Sequence, residues 1–128
     1  MVVPRLLITD DDLALRKAIA DVFRGLCVEI SLASDGDEAI ALIDEVEIHL
    51  ILVDVHMPRV SGLDVMRHVR SRNSVLPCIL MSGAVDELIE REAQQMRVYR
   101  VLSKPIRAVT LRQTVMQGLR DAYGWKAG

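Results

Sequence analysis

The sequence predicts an α/β fold with a parallel sheet, in which strands and helices alternate five times along the chain. Five short apolar runs are rich in Val, Ile and Leu and largely continuous, which is typical of strands buried on both faces. A stretch with helical spacing follows each run. The 128 residues are 51% hydrophobic, which suits one ordinary domain with a real core and excludes a disordered chain.

The predicted strands are separated by stretches long enough for crossover helices. Strand–helix units of this kind build a layered sheet whose crossovers are right-handed. The five predicted strands are Val3–Ile8, Cys27–Ala33, Ile48–Val53, Cys78–Met81 and Val98–Leu102.

The first two predicted helices begin at acidic residues. Asp12 can cap the first helix by accepting a backbone hydrogen bond, and this is how we interpret it. Asp37 opens the second helix, where acids in the first turn suit the helix dipole. The apolar positions at helical spacing are Leu15, Ile19, Val22 and Leu26 in the first helix, and Ala39, Ile40 and Ile43 in the second.

The other three predicted helices follow the third, fourth and fifth strands. The third gathers basic residues toward its C-terminal end, and the fifth carries apolar residues that we assign to the core rather than to a dimer interface. The third has Leu63, Met66, Val69, Arg67, Arg70 and Arg72; the fourth spans Asp86–Met96; the fifth spans Arg107–Tyr123 with Leu111, Val115 and Leu119.

Composition narrows the function classes. The net charge of −2 argues against a domain that binds nucleic acid directly. No secretory signal pattern and no apolar run of about 18 residues is present in the sequence, so we expect a cytoplasmic chain without a membrane segment. Cys27 and Cys78 lie in apolar runs and are predicted to be buried free thiols. The three histidines are interpreted as surface or loop residues: His49, His56 and His68.

Polar side chains follow four of the five predicted strands. Asp10 and Asp11 come after the first strand, Asp54 after the third, Ser82 after the fourth and Lys104 after the fifth. In open α/β sheets, sites form just past the carboxyl ends of the strands. The sequence therefore predicts that a carboxylate cluster, a hydroxyl and an ammonium group meet at one edge of the sheet.

Converging carboxylates raise one another's pKa values unless a cation lies among them. A hard divalent ion such as Mg²⁺, or Mn²⁺, takes oxygen ligands of this kind, whereas the sequence clusters no Cys and His for zinc. A carboxylate such as Asp54 can attack a phosphoryl group, with Lys104 and Ser82 on the phosphoryl oxygens. Taken singly, Ser82 beside Gly83 also fits a turn and Lys104 a solvated loop, so the joint pattern carries this interpretation.

Four motifs in order, "LLITDDD", "LILVDVHMPRVSGLDVM", "CILMSGA" and "VLSKPI", resemble the receiver domain of bacterial two-component response regulators, of the chemotaxis-receiver type. The resemblance runs from about residue 4 to 122. It implies a flavodoxin-like (βα)5 doubly wound sandwich with strand order 2-1-3-4-5. It also implies a single receiver domain over 1–128, with its core at 4–122 and a C-terminal tail at 123–128.

The resemblance implies a role for each site residue. Asp54 would accept a phosphoryl group from a histidine kinase or a histidine phosphotransfer protein. Mg²⁺ would be held by Asp10, Asp11, Asp54 and the backbone carbonyl of His56. The remaining roles fall to Ser82 as the switch hydroxyl, Lys104 as the phosphate contact and Pro105, whose peptide bond with Lys104 is expected to be cis.

The chain departs from the family at the position three residues before the lysine. Val101 stands where the family usually has Tyr or Phe, and Tyr99 is expected on the same side of the strand, one pleat away. Phosphorylation is expected to shift the face formed by the fourth helix, the fifth strand and the fifth helix, toward an effector that the sequence does not identify. The candidate partner surface on that face carries Arg97, Arg100 and Arg107.

The predicted function is that of a signalling switch rather than an enzyme. One alternative is a receiver-like module that binds partners without phosphorylation. Another is a Mg²⁺-dependent phosphohydrolase with an aspartyl nucleophile, although such enzymes typically need a second acid two residues later, where this chain has His56.

Overall fold

The computed structural model describes residues 2–125, and residues 126–128 of the predicted tail lie outside the described part. The five strands are β1 Arg5–Thr9, β2 Glu29–Ala33, β3 Leu50–Asp54, β4 Cys78–Ser82 and β5 Arg100–Ser103. The five helices are α1 Leu13–Val22, α2 Gly36–Glu45, α3 Gly62–Arg72, α4 Glu87–Gln95 and α5 Ala108–Tyr123. Every predicted element is therefore confirmed.

The strands form one parallel sheet in the order β2-β1-β3-β4-β5, which confirms the predicted topology. Helices cover both faces and bury two separate apolar clusters. One cluster, which we call the α2–α4 core, packs side chains of α2, α3 and α4 against the sheet. The other, the α1/α5 core, packs side chains of α1 and α5 against the opposite face and contains Val115 and Leu119, as expected.

The expectation that all five strands are buried on both faces holds for three of them. All residues of β3 and β4 are buried, and so are four of the five in β1. In β2 and β5 most residues are exposed or only half-buried. These two strands form the edges of the sheet, where the helices cover the backbone less completely, so their apolar composition overstates their burial.

Side-chain caps explain where the first four helices begin. Asp12 accepts a hydrogen bond from the backbone of Leu15, which confirms its predicted role as the cap of α1. The second helix begins one residue earlier than predicted, because Asp35 caps it and Asp37 lies in its first turn. Ser61 and Asp86 cap α3 and α4 in the same way.

The first helix ends at Val22, one turn before the predicted apolar position Leu26. Gly25 has a φ of 85°, in the left-handed region that glycine adopts without strain, and it turns the chain out of the helix. Leu26 still packs against the α1/α5 core, but from this turn. Its apolar character therefore reflected packing and not a longer helix.

One prediction about burial is wrong. Cys27 is exposed, because it lies in the turn before the edge strand β2 rather than in the sheet, whereas Cys78 in β4 is buried, and burial raises the pKa of its thiol to about 12. His49 lies in the loop before β3, which the interpretation as a surface or loop residue allowed, although it is only 8% exposed and its Nδ1 accepts a hydrogen bond from the backbone of Arg5 at 2.9 Å. Among residues 2–125, no helix has the length and apolar character needed to cross a membrane.

Candidate functional site

Adjacent strands bring three acids together at the carboxyl edge of the sheet. Asp10 follows β1 and Asp54 ends β3, and these strands pair directly through Thr9 and Val53. Asp10 is fully buried and Asp54 is 5% exposed, whereas Asp11 faces solvent. One carboxylate oxygen from each acid lies within 4.8 Å of the others, so the three together could hold one cation.

Lys104 reaches this cluster from the loop after β5. Its Nζ lies 2.9 Å from Asp10 Oδ2 and 3.1 Å from Asp54 Oδ2. Burial by itself would lower the pKa of Lys104, but its hydrogen bonds to both carboxylates outweigh burial and raise that pKa above the ordinary value. The ammonium group therefore stays charged between the two acids.

The loop before α1 fixes the position of Asp10. Its Oδ1 accepts a hydrogen bond from the backbone of Asp12 at 2.9 Å, and its carbonyl oxygen accepts one from the Arg16 guanidinium at 2.6 Å. Its other carboxylate oxygen, Oδ2, bonds Lys104. The side chain is thus held from two sides, whereas the exposed Asp11 makes no side-chain hydrogen bond within the described residues.

The loop after β3 folds tightly around Asp54. The backbone of His56 donates to Asp54 Oδ1 at 3.1 Å, and the backbone of Gly62 donates to the carbonyl of Val55 at 3.0 Å. A Cβ atom at position 62 would overlap the carbonyl of Asp54, so only glycine allows α3 to begin this close to the strand.

Ser82, the last residue of β4, is fully buried beside this loop. Its Oγ accepts a hydrogen bond from the backbone of Ala84 at 3.1 Å and lies 3.2 Å from Nε2 of His56. Sequence reasoning assigned only the backbone carbonyl of His56 to the site and missed this side-chain contact. The motifs contain no signal for it, because the contact depends on the path of the loop and not on residue spacing.

The region around β5 differs from the sequence expectation. Val101 is half-buried against the α2–α4 core, whereas Tyr99 packs against the α1/α5 core and donates to Asp121 at 2.7 Å. The expectation that both share one side of the strand is wrong, because Tyr99 precedes the first residue of β5 and does not follow its alternation. The Lys104–Pro105 peptide bond is cis.

The three arginines of the predicted partner surface lie at the ends of α4, β5 and α5. Arg97 follows α4 with a φ of 55°, Arg100 begins β5 and Arg107 precedes α5. All three are exposed, and the Arg100 guanidinium lies 4.5 Å from the centre of the Tyr99 ring. The three cations are therefore all open to solvent, with Arg97 before β5, Arg100 at its start and Arg107 after its end.

A five-stranded parallel sheet of order 2-1-3-4-5, with acids and a lysine at its carboxyl edge, defines the class of flavodoxin-like receivers. The family model described as the response regulator receiver domain matches residues 6–116. The chain belongs to this family, whose members act in two-component systems and bind Mg²⁺ through acidic residues.

Relatives with curated names support this assignment. Response regulator MprA of Mycolicibacterium vanbaalenii is 43% identical over 91 residues, which cover 70% of this chain and 38% of that protein. Response regulator RR06 of Streptococcus pneumoniae is 26% identical over 118 residues, 92% of this chain and 54% of the relative. The chain therefore spans about half, or less, of the length of these relatives.

Solved structures show the same fold. The signal receiver domain of a putative Luxo repressor protein from Vibrio parahaemolyticus superposes with a TM-score of 0.90 at 24% identity, covering 94% of this chain and 93% of the other. A CheY-like receiver domain protein from Methanospirillum hungatei gives 0.88 at 21% identity, covering 96% and 98%. At these identities the likeness establishes the flavodoxin-like fold alone.

Proposed function

We propose that this chain is a phosphorylation-dependent receiver in which Asp54 is the phosphoacceptor. The observation that carries the proposal is the double ion pair of Lys104 with Asp10 and Asp54 beside the exposed Asp11. This arrangement places a carboxylate next to a fixed cation, which suits nucleophilic attack on a phosphoryl group.

The transfer step forms one bond and breaks one. An Asp54 carboxylate oxygen attacks the phosphorus of a phosphohistidine, the new P–O bond forms, and the P–N bond breaks with its electron pair going to the departing imidazole. The proton that the departing imidazole needs comes from solvent. The Lys104 ammonium neutralises charge on one phosphoryl oxygen, and the Ser82 hydroxyl donates to another.

The residues present fit a divalent cation. Carboxylate oxygens are the ligands that Mg²⁺ and Mn²⁺ prefer, and Asp10, Asp11 and Asp54 supply three of them within 4.8 Å. The backbone carbonyl of His56 is the proposed fourth protein ligand. When bound, Mg²⁺ would neutralise charge on the phosphoryl oxygens.

We propose that the phosphodonor is a histidine kinase or a histidine phosphotransfer protein in the cytoplasm, and that the chain forms one receiver domain. An apolar groove of about 500 Å³ between α1 and α5 reaches Lys104 and supports docking of such a donor beside the site. Phosphorylation would shift the face formed by α4, β5 and α5, whose partner surface carries Arg97, Arg100 and Arg107, and this face would bind an effector. The domain itself would not bind nucleic acid directly.

The test is labelling by acetyl phosphate in the presence of Mg²⁺. The wild-type protein should incorporate one phosphoryl group, and Asp54→Asn should abolish this because the amide is not a nucleophile. Asp37→Asn, an exposed acid in the first turn of α2, is the matched control and should label like the wild type.

Labelling of Asp54→Asn at the wild-type level would refute Asp54 as the acceptor. Partner binding by a wild-type protein that never labels would favour the phosphorylation-independent module. Rapid turnover of small phosphate esters would favour the phosphohydrolase.

A further inference from the structure

The imidazole of His56 and the hydroxyl of Ser82 form a contact that the proposed chemistry does not use. Nε2 of His56 lies 3.2 Å from Oγ of Ser82, although the two residues are 26 positions apart in the sequence. His56 is exposed and Ser82 is fully buried, so the ring closes over the hydroxyl from the solvent side.

The hydrogen-bonding capacity of Ser82 makes this contact consequential. A hydroxyl has one proton to donate, and Oγ of Ser82 already accepts from the backbone of Ala84 at 3.1 Å. No hydrogen bond joins Ser82 to Asp54 in the part of the chain that the structure describes. We take Nε2 of His56 as the acceptor in this contact, so that the Ser82 proton points at the imidazole. To donate to a phosphoryl oxygen on Asp54, the hydroxyl must then turn and give up its contact with His56.

His56 contacts both halves of this arrangement. Its backbone N–H donates to Asp54 Oδ1 at 3.1 Å, and its ring bonds Ser82. In β5, Val101 has no aromatic ring and packs against the α2–α4 core, whereas Tyr99 packs on the other face of the sheet. Within residues 2–125, the aromatic ring hydrogen-bonded to Ser82 is thus supplied by the loop after β3.

We propose that His56 is a positioning residue whose side chain holds Ser82 in its resting orientation and competes with a phosphoryl group on Asp54 for the same hydroxyl. This proposal rests on the proposed function, because it requires a phosphoryl group at Asp54. It predicts that the side chain at position 56 opposes the phosphorylated arrangement, while the backbone at position 56 supports the site.

The test uses beryllofluoride with Mg²⁺ as the phosphoryl mimic, titrated into the full chain and followed by fluorine NMR. His56→Ala should bind it about two- to tenfold more tightly than the wild type, the size of one net hydrogen bond. His68→Ala is the matched control, because His68 contacts Asp44 on the exposed side of α2 and α3. The affinity of this variant for beryllofluoride should equal that of the wild type.

A double-mutant cycle separates competition for the hydroxyl from a general effect of the loop. Ser82→Ala should weaken binding, and adding His56→Ala to it should change nothing further, because the contested hydroxyl is gone. An equal gain from His56→Ala with or without Ser82 would overturn the proposal. So would unchanged or weaker binding by the single variant His56→Ala.

A second measurement needs no phosphoryl mimic. In the Mg²⁺-free protein, Ser82→Ala should shift the ring nitrogen resonances of His56 and leave those of His68 unchanged; identical His56 resonances would overturn the contact. If the wild type bound no beryllofluoride, the proposed function would fail and this proposal with it. Tight wild-type binding without any effect of His56→Ala would overturn this proposal alone.

Discussion

Two carboxylates, Asp10 and Asp54, lie side by side in the protein with almost no contact with water. Taking an unpaired ion out of water costs several kcal/mol, so this burial requires compensation. Lys104 bonds both acids, and backbone N–H groups bond their remaining oxygens. The third acid, Asp11, stays exposed, and three carboxylates facing one ammonium group leave the cluster a formal charge of −2.

Thr9 is a single residue whose hydroxyl is left without compensation. It is fully buried one position before Asp10, and its Oγ1 has no hydrogen-bond partner within residues 2–125. We expect Thr9→Val, which keeps the shape and removes the polar atom, to raise the free energy of unfolding by about 1 kcal/mol in urea denaturation.

Thr9→Ser is the matched control. It keeps the hydroxyl and loses a buried methyl group, so it should be less stable than the wild type by about 1 kcal/mol. A Thr9→Val protein that is no more stable than the wild type would show that this hydroxyl is satisfied in solution.

At the scale of elements, Arg70 joins the ends of two helices and a strand. From α3, its guanidinium donates to the carbonyls of Met96 and Arg97 at 2.7 and 3.1 Å, just past α4, and to that of Leu76, just before β4, at 2.8 Å. Among the side-chain hydrogen bonds of the described residues, the carbonyls of Met96 and Arg97 have no other donor, and that of Leu76 also accepts from the Cys78 thiol at 3.3 Å. Arg70 therefore fixes how α4 sits beside the sheet.

We expect Arg70→Ala to lower the free energy of unfolding by about 2 to 3 kcal/mol, because it leaves several carbonyls unpaired. Arg70→Lys should recover only part of this loss, since an ammonium group cannot match the fork of a guanidinium. Arg72→Ala, two residues along and 4.0 Å from Asp44, should change stability by less than about 0.5 kcal/mol. Equal losses from Arg70→Ala and Arg72→Ala would contradict this role.

A second link between elements ties the residue before β5 to the last turns of α5. Burial and the hydrogen bond to Asp121 raise the pKa of Tyr99 above 10, and burial raises that of Tyr123. Because the neutral phenols are favoured in the folded state, their contribution to stability is complete below pH 10. It is lost as the pH rises through the higher folded-state values.

We expect the phenolate absorbance of the native protein to appear above pH 10, and at about pH 10 in denaturant. Asp121→Asn should move the transition of Tyr99 back toward pH 10, and Tyr99→Phe isolates Tyr123 for comparison. Coincident titrations of native and denatured protein would contradict the contact between Tyr99 and Asp121.

At the scale of the whole molecule, the proposed Mg²⁺ site couples ligand binding to global stability. A ligand that binds only the folded chain stabilises it by an amount that grows with concentration, about 2.7 kcal/mol at a hundred times its Kd. We expect Mg²⁺ to raise the unfolding midpoint of the wild type and to leave that of Asp11→Asn nearly unchanged.

Without Mg²⁺, the unfolding midpoint of Asp11→Asn should no longer lie below that of the wild type. Asp11→Asn removes one of three like charges within 4.8 Å, so it should be at least as stable as the wild type. Thermal unfolding with and without Mg²⁺ measures both effects. Equal stabilisation of both proteins by Mg²⁺ would show that Asp11 is not a ligand.

Most of the fold was predictable, because burial leaves a local pattern in the sequence. Continuous apolar runs marked the strands, and helical spacing with acidic caps marked the helices. The errors fall where neighbours in space decide the outcome. Cys27 lies in an apolar run of the sequence but is exposed in a turn, and His49 is a loop residue that is nevertheless only 8% exposed.

The sequence by itself determined which residues meet at the carboxyl edge, because a parallel sheet brings all its strand ends to one side. Only the tertiary structure decided how they meet. In the folded chain, Asp10 and Asp54 both pair with the Lys104 ammonium group, Asp11 is exposed to solvent, and the ring of His56 contacts Ser82. The physical reason is that strand periodicity acts over neighbouring residues, whereas loop paths and side-chain hydrogen bonds depend on residues distant in the chain.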